Sequence, residues 1–169
     1  MMKAPKIGLD IDDVIADFCG CFIKKYNFKK PIFWNFSYNT KNILSNKEEM
    51  ENFYLNLKPK INPKKLMFEP TCYITSRPVS TEITKQWIEK NGFPCVPIYT
   101  VDVNHSKIQV AREAGIEVFI DDKFENFVEL NNAGIDTYLL TMPHNEKYNV
   151  GNKRINNVND IVNICYKII

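Results

Sequence analysis

The chain has 169 residues, enough for one domain with a hydrophobic core, and 44% of them are apolar while 25% are charged. The net charge of +2 is too small to indicate a nucleic-acid or membrane surface. Two histidines and five cysteines without a CxxC pair make a zinc site unexpected. With no signal peptide or membrane span to be seen, we expect reduced thiols and a cytoplasmic protein.

The first third of the chain combines one strand with a stretch of different character. Residues 6–11 are a short apolar strand that ends in aspartates, and the apolar spacing predicts a helix over 13–27. Residues 28–68 are rich in Asn, Lys and aromatic residues, are broken by prolines, and contain a predicted helix over 46–57. This stretch resembles an insertion of helices and loops more than part of a sheet.

From residue 71 onward, strands and helices alternate. The predicted strands are 71–75, 95–100, 116–120 and 135–141, and the predicted helices are 80–91, 106–114, 124–133 and 158–168. Such alternation predicts an α/β fold, with a parallel sheet covered by helices on both faces. Sheets of this kind bind ligands beyond the carboxyl ends of their strands.

Reactive side chains follow three of these strands. They are Asp10 and Asp12 after the first, Thr75, Ser76 and Arg77 after the second, and Asp121 and Asp122 after the strand over 116–120, with Lys107 opening the helix before it. Carboxylates crowded together repel one another, so they need a cation or a proton to coexist. Because oxygen ligands dominate and no His or Cys cluster is present, we expect Mg²⁺.

Each of these residue types has a role in phosphoryl transfer. One carboxylate can attack phosphorus, and a second can protonate the leaving group and then deprotonate water. A hydroxyl can bind the phosphate oxygens, and a lysine can neutralise the charge that builds up between nucleophile and phosphate.

The four groups resemble, in order, the four motifs of the haloacid dehalogenase-like (HAD) superfamily. The matching segments are Asp10-Ile11-Asp12-Asp13-Val14, Ile74-Thr75-Ser76, Lys107 and Phe119-Ile120-Asp121-Asp122. More narrowly, LDIDDVIADF, YITSRP and FIDDK are similar to the cytosolic 5'(3')-deoxyribonucleotidases, a 5'-nucleotidase family, and their bacterial and phage relatives.

The resemblance implies a Rossmann-like core of residues 1–17 and 69–169, with a small helical cap formed by 18–68. It makes Asp10 the nucleophile and Asp12 the acid/base. It implies that Mg²⁺ is held by the Asp10 carboxylate, the Asp12 backbone carbonyl and either Asp121 or Asp122.

For the substrate, the resemblance implies a phosphate site made of Thr75, Ser76 and Lys107, to which Arg77 could contribute. Phe18 and the cap pair Phe33-Trp34 would contact a nucleoside. Considered alone, Arg77 could equally pair with a surface acid, and the aromatic residues could form the core of the cap. Lys58 or Lys60 could lie at the hinge between cap and core.

One residue departs from the family pattern, because Asp13 stands where these proteins usually have Gly. It adds a charge beside the expected metal.

The sequence therefore indicates an Mg²⁺-dependent phosphomonoesterase that forms an aspartyl-phosphate and acts on nucleoside monophosphates. Two alternatives stay open: a phosphatase for another small ester or a polynucleotide 3'-phosphate, and a catalytically silent binding module. We expect a small-molecule phosphate ester as the partner, with no membrane and no stable nucleic-acid partner, and leave open a homodimer.

Overall fold

Six parallel strands form one sheet in the computed structural model, which describes residues 4–27 and 44–166. The strands are β1 (Ile7–Leu9), β2 (Cys72–Thr75), β3 (Ile98–Thr100), β4 (Val118–Asp121), β5 (Asp136–Leu140) and β6 (Arg154–Ile155). Their order is β3-β2-β1-β4-β5-β6, and every neighbouring pair is parallel. The predicted α/β fold with a parallel sheet is confirmed.

The helices of the described ranges are α1 (Phe18–Tyr26), α2 (Lys47–Leu55), α3 (Thr81–Asn91), α4 (Ile108–Glu113), α5 (Phe124–Asn132) and α6 (Asp160–Tyr166). Local signals set the ends of α3, where the Ser80 hydroxyl accepts a hydrogen bond from the Ile83 N–H and Gly92 ends the helix with φ of 75°. None of the helices seen in these ranges is long and apolar enough to cross a membrane.

Strand β1 lies in the middle of the sheet, between β2 and β4. All three of its residues are buried. A Cβ atom on Gly8 would lie 2.8 Å from the Phe119 ring of β4, so glycine is needed for the two strands and their side chains to pack. After β1 the chain builds one half of the sheet and then the other, which places the carboxyl end of β1 at the switch point of the topology.

The helix predicted over 13–27 is wrong at its start, because α1 begins only at Phe18. Residues before it form a turn in which Asp13 has φ of 60°. The helix begins where Asp17 can cap it, since the Asp17 carboxylate accepts a hydrogen bond from the Gly20 N–H at 3.0 Å.

Two strand predictions also differ from the structure. The strand predicted over 95–100 begins only at Ile98, because Pro97 cannot donate to the ladder, although its carbonyl accepts from the Tyr73 N–H. Strand β6 was not predicted, since two residues carry no periodic signal.

The described part of the predicted insertion packs onto the core through aromatic rings. Phe18 and Phe22 of α1 contact Phe53 and Tyr54 of α2, and these rings join the same hydrophobic cluster as Ile7 and Leu9. Residues 28–43, and with them Phe33 and Trp34, lie outside the described residues. The division into a core and an 18–68 cap stays a prediction.

Candidate active site

A cavity of about 320 Å³ opens over the carboxyl ends of β1, β2 and β4. Its polar wall includes the predicted site residues Asp10, Asp12, Thr75, Ser76, Lys107, Asp121 and Asp122. Its apolar wall is formed by Phe18, Leu44, Met50, Tyr54, Pro78 and Val103. Seven of the eight polar residues predicted from strand ends therefore share one cavity, because parallel strands bring their carboxyl ends to one edge.

Lys107 joins two of the acids. Its ammonium group donates to Asp10 Oδ1 at 2.7 Å and to Asp121 Oδ2 at 2.8 Å, and all three residues are buried. Burial alone would lower the pKa of Lys107, but the Asp10 and Asp121 carboxylates raise it above its ordinary value. The lysine therefore stays charged in the site.

Asp10 lies one residue beyond β1, where its N–H continues the ladder by donating to the Ile120 carbonyl. Burial raises the pKa of Asp10 well above its ordinary value, although the Lys107 ammonium opposes this. Asp121 and Asp122 raise it further, so an additional cation near these acids would favour the ionised carboxylate.

The acids at the carboxyl ends of β1 and β4 can hold such a cation. One carboxylate oxygen from each of Asp10, Asp121 and Asp122 lies within 4.8 Å of the others, and all three residues are buried. An all-oxygen ligand set with excess negative charge suits a hard divalent metal such as Mg²⁺. The residues present therefore fit the predicted metal.

Asp121 and Asp122 differ in how their oxygens are used. Asp121 Oδ1 accepts from the Lys123 N–H at 2.9 Å, while Oδ2 accepts from Lys107 and from Asn126 Nδ2 at 3.0 Å. Both oxygens of Asp121 are thus engaged by donors of the protein.

Asp122 is held by two residues that the sequence analysis missed. His144 Nε2 lies 2.8 Å from Asp122 Oδ2, and Asn145 Nδ2 donates to the Asp122 carbonyl at 2.7 Å. Burial raises the pKa of Asp122, which the imidazole opposes, while the carboxylate raises the pKa of His144 against the effect of burial. Only the position of His144 and Asn145 just after β5, a strand that neighbours β4, could have indicated from the sequence that they belong to the site.

Arg77 contacts Asp12 and does not line the cavity. Its Nε and Nη2 both donate to Asp12 Oδ1, at 3.0 and 2.7 Å. The guanidinium carbon lies 5.2 Å from the centre of the Tyr54 ring and 5.1 Å from that of Trp87. The acid that Arg77 pairs with thus belongs to the predicted site itself, and not to the surface.

Asp13 is buried and has the left-handed φ of 60°. This backbone conformation favours glycine, and Asp is among the few other residues that adopt it readily. Asp13 Oδ1 accepts from the Cys19 N–H at 2.8 Å, and its carbonyl accepts from Lys60 Nζ at 2.7 Å. Burial and the neighbouring Asp122 raise the pKa of Asp13 to about 7.

Thr75 and Ser76 line the cavity at the end of β2. Within the described residues, the buried Thr75 hydroxyl has no hydrogen-bond partner. A buried hydroxyl without a partner costs free energy, so a ligand oxygen at this place would be stabilising. The predicted substrate residue Phe18 also lines the cavity, while its ring stacks on Phe22 with centroids 5.8 Å apart.

Fold and site together define an α/β protein with a buried carboxylate cluster at the switch point of a parallel sheet. No family model matches the chain. A nucleotidase of Clostridium acetobutylicum is 23% identical over 166 residues, covering 86% of this chain and 85% of the relative. A Halalkalibacterium halodurans protein, provisionally named a nucleotidase, is 36% identical over 75 residues, covering 43% of this chain and 38% of the relative.

Proposed function

We propose that the chain is an Mg²⁺-dependent phosphomonoesterase of the HAD type that dephosphorylates nucleoside monophosphates, most readily deoxyribonucleotides. The observation that carries this is the buried Asp10 carboxylate, held by Lys107 in one cavity with Asp12, Asp122 and the Thr75 hydroxyl. The long alignment with a named nucleotidase supports the choice of substrate class.

In the first step, a carboxylate oxygen of Asp10 forms a bond to phosphorus as the bond to the ester oxygen breaks. Asp12 gives its proton to that leaving oxygen. In the second step, Asp12 takes a proton from water, whose oxygen attacks phosphorus, and inorganic phosphate leaves as Asp10 is restored.

The metal would be held by the Asp10 and Asp122 carboxylates and the Asp12 backbone carbonyl. Of the two acids at the end of β4, Asp122 is the better candidate, because both oxygens of Asp121 already accept hydrogen bonds. A bound Mg²⁺ would supply positive charge that favours the approach of a phosphate dianion to the acids. Asp121 instead orients Lys107, which would bind phosphate with Thr75 and Ser76.

The apolar wall suits the nucleoside. Phe18 and Tyr54 offer aromatic surface, and stacking of a base on such rings is worth about 1–3 kcal/mol in single-strand binders. Residues 18–68, the proposed cap, supply both rings, and Phe33 and Trp34 belong to the same segment. This proposed cap is too short to enclose a large substrate, which favours a mononucleotide over a polynucleotide end.

The test is a phosphate-release screen over nucleoside monophosphates and sugar phosphates with Mg²⁺, using wild type and Asp10→Asn purified in the same way. We expect wild type to prefer a nucleotide and Asp10→Asn to lose more than about 10³-fold in kcat, since an amide cannot replace the nucleophile. Unchanged folding of the variant is checked by circular dichroism. Turnover by Asp10→Asn at a substantial fraction of the wild-type rate would contradict the assignment of the nucleophile.

A further inference from the structure

Arg77 is held on three sides by partners from different parts of the chain. Its side chain is fully buried, with the Tyr54 ring of α2 and the Trp87 ring of α3 in contact with the guanidinium. Trp87 is itself held, because its Nε1 donates to the Leu57 carbonyl at 2.9 Å. A guanidinium held in this way has little freedom to turn toward the cavity.

The two hydrogen bonds of Arg77 end on a single oxygen of Asp12. Both Nε and Nη2 donate to Oδ1. An oxygen that faces two N–H donors cannot also carry a proton between itself and those donors. Oδ2 is the oxygen of Asp12 to which Arg77 does not donate, and it belongs to a side chain that lines the cavity and is 16% exposed.

We propose that Arg77 is a positioning residue for Asp12, which it holds with Oδ2 available to the leaving group. The inference rests on the proposed acid/base role of Asp12. Tyr54 gives the arrangement a second consequence, because this ring touches Arg77 and also lines the cavity. The insertion thereby contributes to the placement of the acid as well as to the apolar wall.

The competing reading is that Arg77 binds phosphate. It predicts that substitution of Arg77 lowers kcat/KM equally for all phosphate esters and weakens inhibition by inorganic phosphate. A positioning role predicts a loss that grows as the leaving group becomes poorer, because good leaving groups need little help from an acid. Inhibition by inorganic phosphate would then stay near the wild-type level.

The experiment compares wild type, Arg77→Ala, Arg77→Met and the control Arg112→Gln on aryl phosphates from p-nitrophenyl to phenyl phosphate. Arg112 lies on the exposed side of α4, where it donates to the Ala133 carbonyl. The quantity measured is kcat/KM, which reports the step in which the ester bond breaks. We expect both Arg77 variants to lose about 10²-fold or more on phenyl phosphate and much less on p-nitrophenyl phosphate.

Chemical rescue gives a second measurement. Millimolar guanidinium should restore phenyl phosphate hydrolysis in Arg77→Ala, where the space between the two rings is open, and should do nothing for Arg112→Gln. Arg77→Met fills that space, so it should fold even if Arg77→Ala does not, and it should not be rescued.

Equal losses on all esters with weakened inhibition by inorganic phosphate would assign Arg77 to phosphate binding and overturn the inference. Wild-type dependence on the leaving group in both variants would overturn it as well. These outcomes leave the proposed function intact, whereas a wild-type protein that cleaves no phosphate ester would overturn both.

Discussion

At the residue scale, Asp13 shows how an ionisable side chain can occupy a backbone conformation that favours glycine. Its left-handed backbone is compatible with Asp, and its carboxylate holds the Cys19 N–H at the start of α1. Burial, however, destabilises the ionised carboxylate and raises the pKa of Asp13 to about 7. Among the residues that the structure describes, none donates a hydrogen bond to its second oxygen, Oδ2.

Asp13→Asn should therefore stabilise the protein at neutral pH. The folded protein holds the Asp13 proton more tightly than the unfolded chain, whose pKa is about 4, so rising pH destabilises the folded state between about pH 4 and 7. The gain from Asp13→Asn should grow over that range to the order of 4 kcal/mol and then stay constant, since about three pKa units separate the folded and unfolded values. Urea unfolding in EDTA measures it, with the exposed Asp102→Asn as control. A gain that does not change with pH would contradict the burial of an ionisable Asp13.

The expected role of His144 depends on a partner that is distant in sequence. It is buried beside Asp122, 22 positions away in the chain. Residues that hydrogen-bond to a metal ligand, and so orient it, commonly change the affinity of the site for the metal.

We expect His144→Leu to raise the Mg²⁺ concentration needed for half-maximal activity by about tenfold or more, because Asp122 loses the group that orients it. A titration of phosphate release with Mg²⁺ measures this. At saturating Mg²⁺, much of the activity should return. An unchanged Mg²⁺ dependence in a correctly folded variant would show that His144 does not act through Asp122.

At the element scale, strand β1 determines where Asp10, the proposed nucleophile, lies. It is buried on both sides and hydrogen-bonds to two strands, so the position of Asp10 follows directly from the packing of three residues. Packing is tightest at Gly8, because the Phe119 ring occupies the space that a side chain at this position would need.

Gly8→Ala should destabilise the protein by about 1–3 kcal/mol, since β1 or Phe119 must shift to make room. Gly92→Ala is the comparison, because its Cβ would meet no atom and only the left-handed φ of 75° opposes it, at a cost of about 1 kcal/mol. Urea unfolding measures both stabilities, and phosphate release should fall only for Gly8→Ala. Equal effects of the two variants on activity would argue against β1 as the element that positions Asp10.

At the scale of the whole molecule, the sheet concentrates negative charge at one place. Asp10, Asp12, Asp121 and Asp122 reach one cavity, where Lys107 is the buried cation that faces two of them. A phosphate dianion would be repelled from such a site unless more positive charge were present.

Activity should therefore disappear in EDTA and return with Mg²⁺, while Ca²⁺, with its larger and looser coordination, should substitute poorly. Mg²⁺ should also raise the melting temperature of wild type, because it binds the folded state only, and this shift should be lost in Asp122→Asn. The thermal measurement is independent of catalysis. Full activity after exhaustive chelation would contradict a metal site.

The sequence by itself determined the parallel α/β fold and the residues that meet at its edge. Alternating periodicity and turn signals are local, so helix α3 with its Ser80 cap and its Gly92 stop could be predicted closely. The strand-end rule then brought Asp10, Thr75 and Asp121 together, because parallel strands align their carboxyl ends.

Only the tertiary structure decided what each side chain contacts. Arg77 holds Asp12 across 65 positions of sequence, and Asn145 holds Asp122 across 23. Asp121 and Asp122 likewise have different hydrogen-bond partners that no local pattern specifies. The same is true of the turn after which α1 begins at Phe18. Hydrogen bonds and burial are short-range in space but not along the chain, so the pairing of these residues emerges only when the sheet has formed.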